Sequence, residues 1–191
     1  MKLEKVKYFN SIEIKKILSD ELKKKYYNQY LLCLTLAYTG ARVSEIIALK
    51  KKDIIELPNS DTGNTEYYLK LRTLKRKEKH YRYLPIHEKL QTELFSYIVL
   101  KKIKSNNKIF DISRRSAYTW VKKACYLAGI DDDRAHPHTF RHSFGVAVML
   151  KKEIKIRVLQ KWLGHASVEN TLIYQDIVAS DTKDFMKIFD Y

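Results

Sequence analysis

Apolar residues recur at helical spacing over most of the chain. In the first 50 residues this spacing predicts helices over 11–19, with Ser11 as the cap, over about 28–38, and over 43–49. The second helix is expected to end at Gly40, because glycine suits the left-handed conformation that follows many helices. From residue 88 onward the same spacing predicts helices over 88–103, 114–128, 138–150, 155–163 and 168–178, and a tail helix over 181–190.

The spacing changes between residues 58 and 87. Turn-forming residues fill 58–64, and polar residues then alternate with three apolar ones, Tyr67, Leu69 and Leu71, as in a β-strand. A basic turn follows, and a second strand is predicted from the alternation of Tyr81, Tyr83 and Pro85. No repeat and no linker rich in Gly, Ser or Pro is found. The sequence therefore predicts one mainly helical domain of the α+β class with a small antiparallel sheet.

The chain carries a large excess of positive charge. Its 191 residues include 37 Lys and Arg against 22 Asp and Glu, a formal net charge of +15. Such an excess attracts polyanions and releases counterions when phosphates are neutralised. A membrane surface, a ribosomal site or a merely solvated lysine-rich surface would also explain it. Charge is therefore compatible with a nucleic-acid partner without establishing one.

Compartment signals indicate a cytoplasmic protein without a membrane partner. The longest apolar stretch, residues 30–38, is too short to cross a bilayer, and the first seven residues lack the apolar core of a signal peptide. Cys33 and Cys125 both lie among apolar neighbours, which favours buried free thiols over a disulfide.

Candidate chemistry is concentrated in four short stretches beside helix breakers. These are residues 39–45 with Arg42 and Glu45, the turn 74–79 with Lys75 and Lys77, residues 136–142 with His138, Arg141 and His142, and residues 163–165 with His165, followed nine residues later by Tyr174. Arg42 and Arg141 are predicted at helix starts, where backbone N–H groups also favour anions. Two Arg, a Lys and two His with few carboxylates suit a phosphate better than a metal.

Metal sites are weaker interpretations of the same residues. His138 and His142 have a metal-ligand spacing, but no adjacent Glu and no matching third ligand accompany them. We interpret His142 as a helix-packing residue and the acidic run 131–133 as a solvated turn. No metal and no cofactor is expected.

The four stretches together resemble the tyrosine recombinase, or phage integrase, family. The resemblance rests on Thr39-Gly-Ala-Arg-Val-Ser-Glu, on His138-x-x-Arg141-His, on Leu163-Gly-His165 and on Tyr174 nine residues beyond, in the family's order across about residues 8–178. It implies the catalytic-domain fold of that family and a DNA strand transferase that forms a 3′-phosphotyrosine. It also implies that strands are rejoined without ATP or metal.

The resemblance assigns a role to each residue. Tyr174 would be the nucleophile, and His138 would help to manage its proton. Arg42 and Arg141 would hold the non-bridging phosphate oxygens, while His165 would donate a further hydrogen bond. Glu45 would orient its neighbours. A lysine in the turn would protonate the leaving 5′-oxygen; counting back from Pro85 gives Lys77, counting forward from Thr73 gives Lys75, and both stay open.

Family resemblance also shapes the expected domains and partners. We expect a catalytic domain over 1–178 and a tail over 179–191 whose apolar residues dock into a neighbouring protomer or pack on their own domain. The family's N-terminal core-binding domain is expected to be absent, as in the short invertases that share the run at 136–143 or in a shortened chain. Expected partners are double-stranded DNA, further copies of the chain (a dimer on one site, a tetramer on paired sites) and a DNA-bending accessory protein.

Two other functions fit the same residues. A type IB-like topoisomerase would use the same tyrosine to relax supercoils, and a non-catalytic DNA-binding protein would keep only the fold. Pure binding does not require Tyr174 or His165, which favours a site-specific recombinase for integration, excision or inversion of DNA.

Overall fold

The computed structural model describes residues 6–59, 63–73, 80–151 and 153–181. Nine helices and three strands are found in this part of the chain: α1 (Ser11–Ile17), α2 (Asp20–Lys25), α3 (Tyr27–Thr39), α4 (Val43–Ile46), β1 (Ile54–Pro58), β2 (Thr65–Thr73), β3 (His80–Pro85), α5 (Glu88–Leu100), α6 (Arg114–Leu127), α7 (Pro137–Met149), α8 (Ile156–Leu163) and α9 (Glu169–Asp181). The expected mainly helical fold with a small antiparallel sheet is confirmed.

Helix α3 is the centre of the main core. Eight of its thirteen side chains are buried, including Leu31, Leu32 and Leu34, and it packs against α5, α6 and α7. As expected, it ends at Gly40, which has a φ of 57°. Because none of the α3 side chains is exposed, its C-terminal end is a fixed point from which the following loop enters the candidate site.

A second, smaller core joins α7, α8 and α9. It contains Val146, Leu159, Leu163 and Ile177, together with the ring of Tyr174. Trp162 packs against both cores. Three of the four stretches that carry the candidate chemistry, residues 39–45, 136–142 and 163–165 with Tyr174, therefore meet where the two cores join.

The sheet has the order β1-β2-β3, and both pairs of strands are antiparallel. The hairpin β2–β3 was expected, whereas β1 was not. The alternating residues that predict the second strand lie on its outward face: Tyr81 and Tyr83 are exposed in β3, while Arg82 and Leu84 are buried. The reason is that the charge of Arg82 is matched inside the protein, as described below.

Helix starts near the N-terminus also differ from expectation. Asn10, not Ser11, caps α1, and its side chain accepts from the main-chain N–H of Glu13 in a capping box. Ser19 caps the unpredicted α2. Helix α4 is shorter than expected and ends at Ile46. The predicted tail helix lies largely outside the described residues, within which no helix is both long and apolar enough to cross a membrane.

Candidate active site

Arg141 lies at the centre of the candidate site. Its side chain projects from the second turn of α7 and is 2% exposed. Nη1 donates to the carbonyl of Gly40 and Nη2 to the carbonyl of Leu163, both at 2.8 Å. Burial, with the charge of Arg42, lowers the pKa of Arg141 to about 10, so it stays a cation at neutral pH. A guanidinium has five N–H groups, and three remain for a ligand.

Two helix ends hold Arg141, which corrects the expectation that it stands at a helix start. Gly40 ends α3 and Gly164 ends α8, both with positive φ, so that carbonyls of the two last turns face the guanidinium. A Cβ on Gly40 would come within 2.5 Å of the Phe144 ring. Glycine at this position therefore allows α3 and α7 to approach closely.

Arg42 precedes α4, as expected, and reaches the same region. Its side chain is 22% exposed, and Nη1 donates to Glu45 Oε1 at 3.2 Å. The main-chain N–H of Arg42 donates to Glu45 Oε2 at 2.9 Å. The main-chain N–H of Arg42 is therefore already bound to an anionic side chain and is not available to a ligand. The guanidinium remains the group that faces a ligand.

Arg82 is a residue of the site that sequence reasoning missed. It extends from β3 to Glu45, with Nη2–Oε2 at 2.7 Å and Nη1–Oε1 at 3.2 Å, and Nε donates to the carbonyl of Trp162 at 2.7 Å. Burial alone would raise the pKa of the Glu45 carboxyl, but the hydrogen bonds and charge of Arg82 and Arg42 hold it below its ordinary value. The sequence offered one signal for Arg82: it lies two residues before Leu84, so both side chains are on the same face of the strand.

The turn that carries Lys75 and Lys77 lies outside the described residues. Its two ends are described: Thr73 and His80 form the last pair of the β2–β3 ladder. The Thr73 hydroxyl lies 3.4 Å from Nη1 of Arg82. Thr73, the last described residue before the turn, therefore lies beside the Arg82–Glu45 pair, and the choice between the two lysines stays open.

Two histidines of the predicted set lie within the field of these arginines. Loss of water contacts, then the charges of His142, Arg141, His136 and Arg42, lowers the pKa of His138 to about 4. Burial, then Arg141 and Arg42, lowers the pKa of His165 to about 3. Both imidazoles are therefore neutral at pH 7.

His165 is oriented by a neighbour on α9. It follows Gly164 at the end of α8, and its Nδ1 lies 2.9 Å from the hydroxyl of the buried Thr171. With the hydroxyl as donor, the hydrogen of the neutral ring sits on Nε2, which leaves an N–H available for a ligand.

Tyr174 lies on the inward face of α9, with 1% of its surface exposed. Its hydroxyl is 3.2 Å from Nδ1 of His142, and its ring is nearly parallel to that of His165, with centroids 6.5 Å apart. Burial raises its pKa, although Arg141 and Arg42 pull in the opposite direction. The interpretation of His142 as a packing residue is therefore incomplete.

Six residues of the predicted set come together in the structure: Arg42, Glu45, His138, Arg141, His165 and Tyr174. They come from four separate segments, and each is near enough to Arg42 or Arg141 for that charge to act on it. In the described part of the chain, no group of three or more His, Cys, Asp or Glu side chains could hold a metal ion. The arrangement is a cationic pocket with one phenol at its edge.

Comparison with known proteins places this arrangement in a family. The sequence pattern of the phage integrase family matches residues 7–180. The chain belongs to the phage integrase family. Tyrosine recombinase XerD of Corynebacterium glutamicum is 35% identical over 156 residues, and the match covers 76% of this chain and 47% of the relative. Tyrosine recombinase XerA of Pyrococcus furiosus is 33% identical over 181 residues, and the match covers 90% of this chain and 58% of the relative.

Solved structures of this family share the fold. The crystal structure of XerA recombinase superposes with a TM-score of 0.72 and 27% identity, covering 96% of this chain and 63% of that one. The catalytic domain of bacteriophage HP1 integrase gives 0.68 with 22% identity, covering 97% of this chain and 96% of that one. The chain spans about half the length of the curated relatives that it matches.

Proposed function

We propose that this protein is a site-specific DNA recombinase that cleaves and rejoins strands through a 3′-phosphotyrosine at Tyr174. The observation that carries the proposal is the convergence of Arg42 and Arg141 on one pocket beside the phenol. Two fixed cations suit a phosphodiester, whose transition state gains negative charge. The names of the related recombinases support the same reaction class.

The arginines are proposed to bind the two non-bridging oxygens. Arg141 is the rigid partner, because two carbonyls hold its guanidinium in one orientation. Arg42, whose side chain is partly exposed, binds the same phosphate from the loop before α4. Guanidinium groups form paired hydrogen bonds with phosphate and stay charged throughout the reaction.

His165 is proposed to donate to the same phosphate. With the Thr171 hydroxyl as the donor to Nδ1, the ring hydrogen lies on Nε2, which then donates to the phosphate. His138 lies one turn before Arg141 on α7 and is a further polar group beside the proposed phosphate position. Lys75 or Lys77 is proposed to protonate the leaving 5′-oxygen, since the turn 74–79 begins next to Arg82.

A nicked suicide DNA that carries the target site tests the proposal. The wild-type protein should form a covalent adduct, which denaturing gels detect, and Tyr174→Phe should form none. Tyr126→Phe is the matched control, because Tyr126 is exposed on α6 and should leave adduct formation unchanged. The absence of an adduct from wild type on captured genomic sites would overturn the proposal. Relaxation of any supercoiled plasmid without strand exchange would indicate a topoisomerase instead.

Assembly on DNA is proposed to use a groove on the domain. A cavity of about 850 Å³ lies between α1, β3 and α7, and its lining includes Ile14, Phe144 and Val148 with Lys15 and Lys151. The sequence after the described residues carries Phe185, Ile188 and Phe189, apolar side chains that suit the apolar part of this lining. We assign this segment of a neighbouring copy as the occupant, in a dimer on one site and a tetramer on paired sites. An accessory DNA-bending protein would then assist pairing of the sites.

Deletion of residues 180–191 tests the assembly. The shortened protein should bind a single DNA site with unchanged affinity and form no synaptic complexes in native gels. Recombination at the wild-type level by the shortened protein would contradict this assignment, while leaving the cleavage chemistry at Tyr174 intact.

A further inference from the structure

The hydroxyl of the proposed nucleophile contacts a histidine to which the family motif gave no role. Nδ1 of His142 lies 3.2 Å from the Tyr174 hydroxyl. His138, which was expected to manage the proton of Tyr174, instead places its ring edge-on to His142, with centroids 4.6 Å apart. His142 therefore stands between His138 and the phenol.

The packing of α9 on α7 fixes this contact. Gly145 lies one turn after His142, and a Cβ built on it would come within 2.6 Å of the Tyr174 ring. The ring therefore lies directly against the α7 backbone. His165, at the end of α8, is almost parallel to the phenol, with an interplanar angle of 7°. The phenol is thus held between α7 and α8 with its hydroxyl at His142.

The surroundings of His142 keep its ring neutral in the free protein. Burial, then the charges of Arg141 and His136 on the same helix, lowers its pKa to about 4. The groups that face the contact from other segments are Arg42, His165 and Tyr174 itself. A neutral imidazole has one nitrogen with a lone pair, which can accept a hydrogen bond and then a proton.

We propose that His142 is the residue that accepts the phenolic proton of Tyr174 during strand cleavage. The inference rests on the proposed function. As the Tyr174 oxygen forms its bond to phosphorus, the O–H bond breaks and the proton moves to Nδ1 of His142. The bond from phosphorus to the 5′-oxygen breaks, and this oxygen takes a proton from Lys75 or Lys77. During rejoining the 5′-hydroxyl gives its proton back to the lysine as it attacks phosphorus, and His142 returns the other proton to the tyrosine oxygen.

DNA itself activates this base. The charges of Arg141 and Arg42 disfavour a proton on the neighbouring imidazoles of the free protein. A phosphodiester bound between these arginines offsets their charge, which makes His142 a stronger base when substrate is present. Proton transfer from Tyr174 is therefore favoured only in the complex, and the free protein keeps an un-ionised phenol.

Cleavage kinetics of His142→Asn test the proposal. Asn keeps a hydrogen-bond acceptor near the hydroxyl but cannot take up a proton. The rate of adduct formation on the suicide DNA should fall about 10²- to 10³-fold, with single-site binding unchanged. The pH profile should also change: the wild-type rate levels off once His142 is deprotonated in the complex, whereas the variant rate keeps rising towards ionisation of Tyr174.

His87→Asn is the matched control. His87 caps α5, its Nδ1 accepts a hydrogen bond from the main-chain N–H of Lys89, and Asn is a favoured capping residue. Its rate should stay within about threefold of wild type. A DNA with sulfur in place of the leaving 5′-oxygen needs no leaving-group proton, so it should relieve Lys75→Ala or Lys77→Ala but not His142→Asn.

Nitrogen NMR of the free protein gives a readout that does not depend on activity. His142, assigned by its loss in His142→Asn, should carry its hydrogen on Nε2, and Tyr174→Phe should shift its Nδ1 signal. A hydrogen on Nδ1 would overturn the proposal, as would an unchanged rate and pH profile in His142→Asn while wild type forms the adduct. A wild-type protein that forms no adduct would overturn the proposed function and this inference with it.

Discussion

The Arg82 guanidinium and the Glu45 carboxylate form a buried ion pair with two contacts, at 2.7 and 3.2 Å. Arg82 belongs to β3 and Glu45 to α4, and both side chains are almost entirely enclosed. Glu45 also binds Arg42, and Arg82 binds the carbonyl of Trp162, two residues before Gly164. One pair thus fixes three of the segments that form the site.

Arg82→Met should destabilise the protein strongly. Removal of one partner leaves the Glu45 carboxylate buried without its main counter-charge, a change that costs about 3–5 kcal/mol. Urea unfolding at pH 7 measures the loss. Arg157→Met is the matched control, because Arg157 is exposed on α8 and should change the free energy of unfolding by less than about 0.5 kcal/mol. Equal losses in the two variants would contradict the role of the pair.

Arg141→Lys should abolish most of the cleavage activity although charge is conserved. An ammonium cannot reach the carbonyls of Gly40 and Leu163 and still present a flat pair of donors to a phosphate. We expect a loss of about 10³-fold in the rate of adduct formation, by analogy with arginines that stabilise phosphoryl transfer. Arg115→Lys, on the exposed side of α6, serves as control, and a loss below tenfold in Arg141→Lys would count against the proposed grip.

Local patterns were sufficient for most elements of the fold. Helix α3 with its end at Gly40, the β2–β3 hairpin and α5 to α9 follow from spacing and turn residues. Strand β1 and the inward face of β3 do not. Arg82 is buried because Glu45, 37 positions earlier, supplies the opposite charge, and no short window of sequence contains that pairing.

The candidate site was also only partly predictable from local sequence patterns. The motif order brought Arg42, Arg141, His165 and Tyr174 to attention, and the structure brings them together. His142 was assigned to packing because helical spacing gives only the side of α7 on which it lies. Its contact with the Tyr174 hydroxyl depends on how closely α9 approaches at Gly145, which is a property of tertiary packing.

Thr171→Val should impair cleavage through His165. The substitution conserves shape in the buried core but removes the hydroxyl that engages Nδ1, so the imidazole loses its fixed orientation towards the phosphate. We expect a fall of about 10²-fold in the rate of adduct formation, similar to the loss of one transition-state donor.

Thr119→Val controls for the loss of a threonine hydroxyl, since Thr119 is exposed and bonds only within its own helix among the described contacts. His165→Gln should then make Thr171→Val redundant, because both changes remove the same donor. Additive losses in the double variant would show that Thr171 acts elsewhere.

Stability should fall as pH drops from 7 to 5. The pKa values of His138, His142 and His165 are lowered to about 4, 4 and 3, against 6.5 for an ordinary histidine. Above pH 6.5 these imidazoles are neutral whether the chain is folded or not. Below it the unfolded chain binds protons that the folded protein does not, so unfolding becomes more favourable. Allowing for the exposure of His138, we expect a loss of about 3 kcal/mol.

The histidines and the carboxylates affect stability in different pH ranges, which allows the two effects to be distinguished. Glu45 also has a lowered pKa, but its contribution to stability is lost only as pH falls through and below the ordinary range near 4.5. Urea unfolding at pH 7, 6 and 5 gives the slope of the free energy of unfolding against pH. This slope should be flatter in a variant with Asn in place of His138, His142 and His165. His80→Asn, at an exposed position of β3, should keep the wild-type slope. If the triple variant keeps that slope as well, the three imidazoles are not held neutral by the pocket, and the electrostatic link between the arginines and the nucleophile fails.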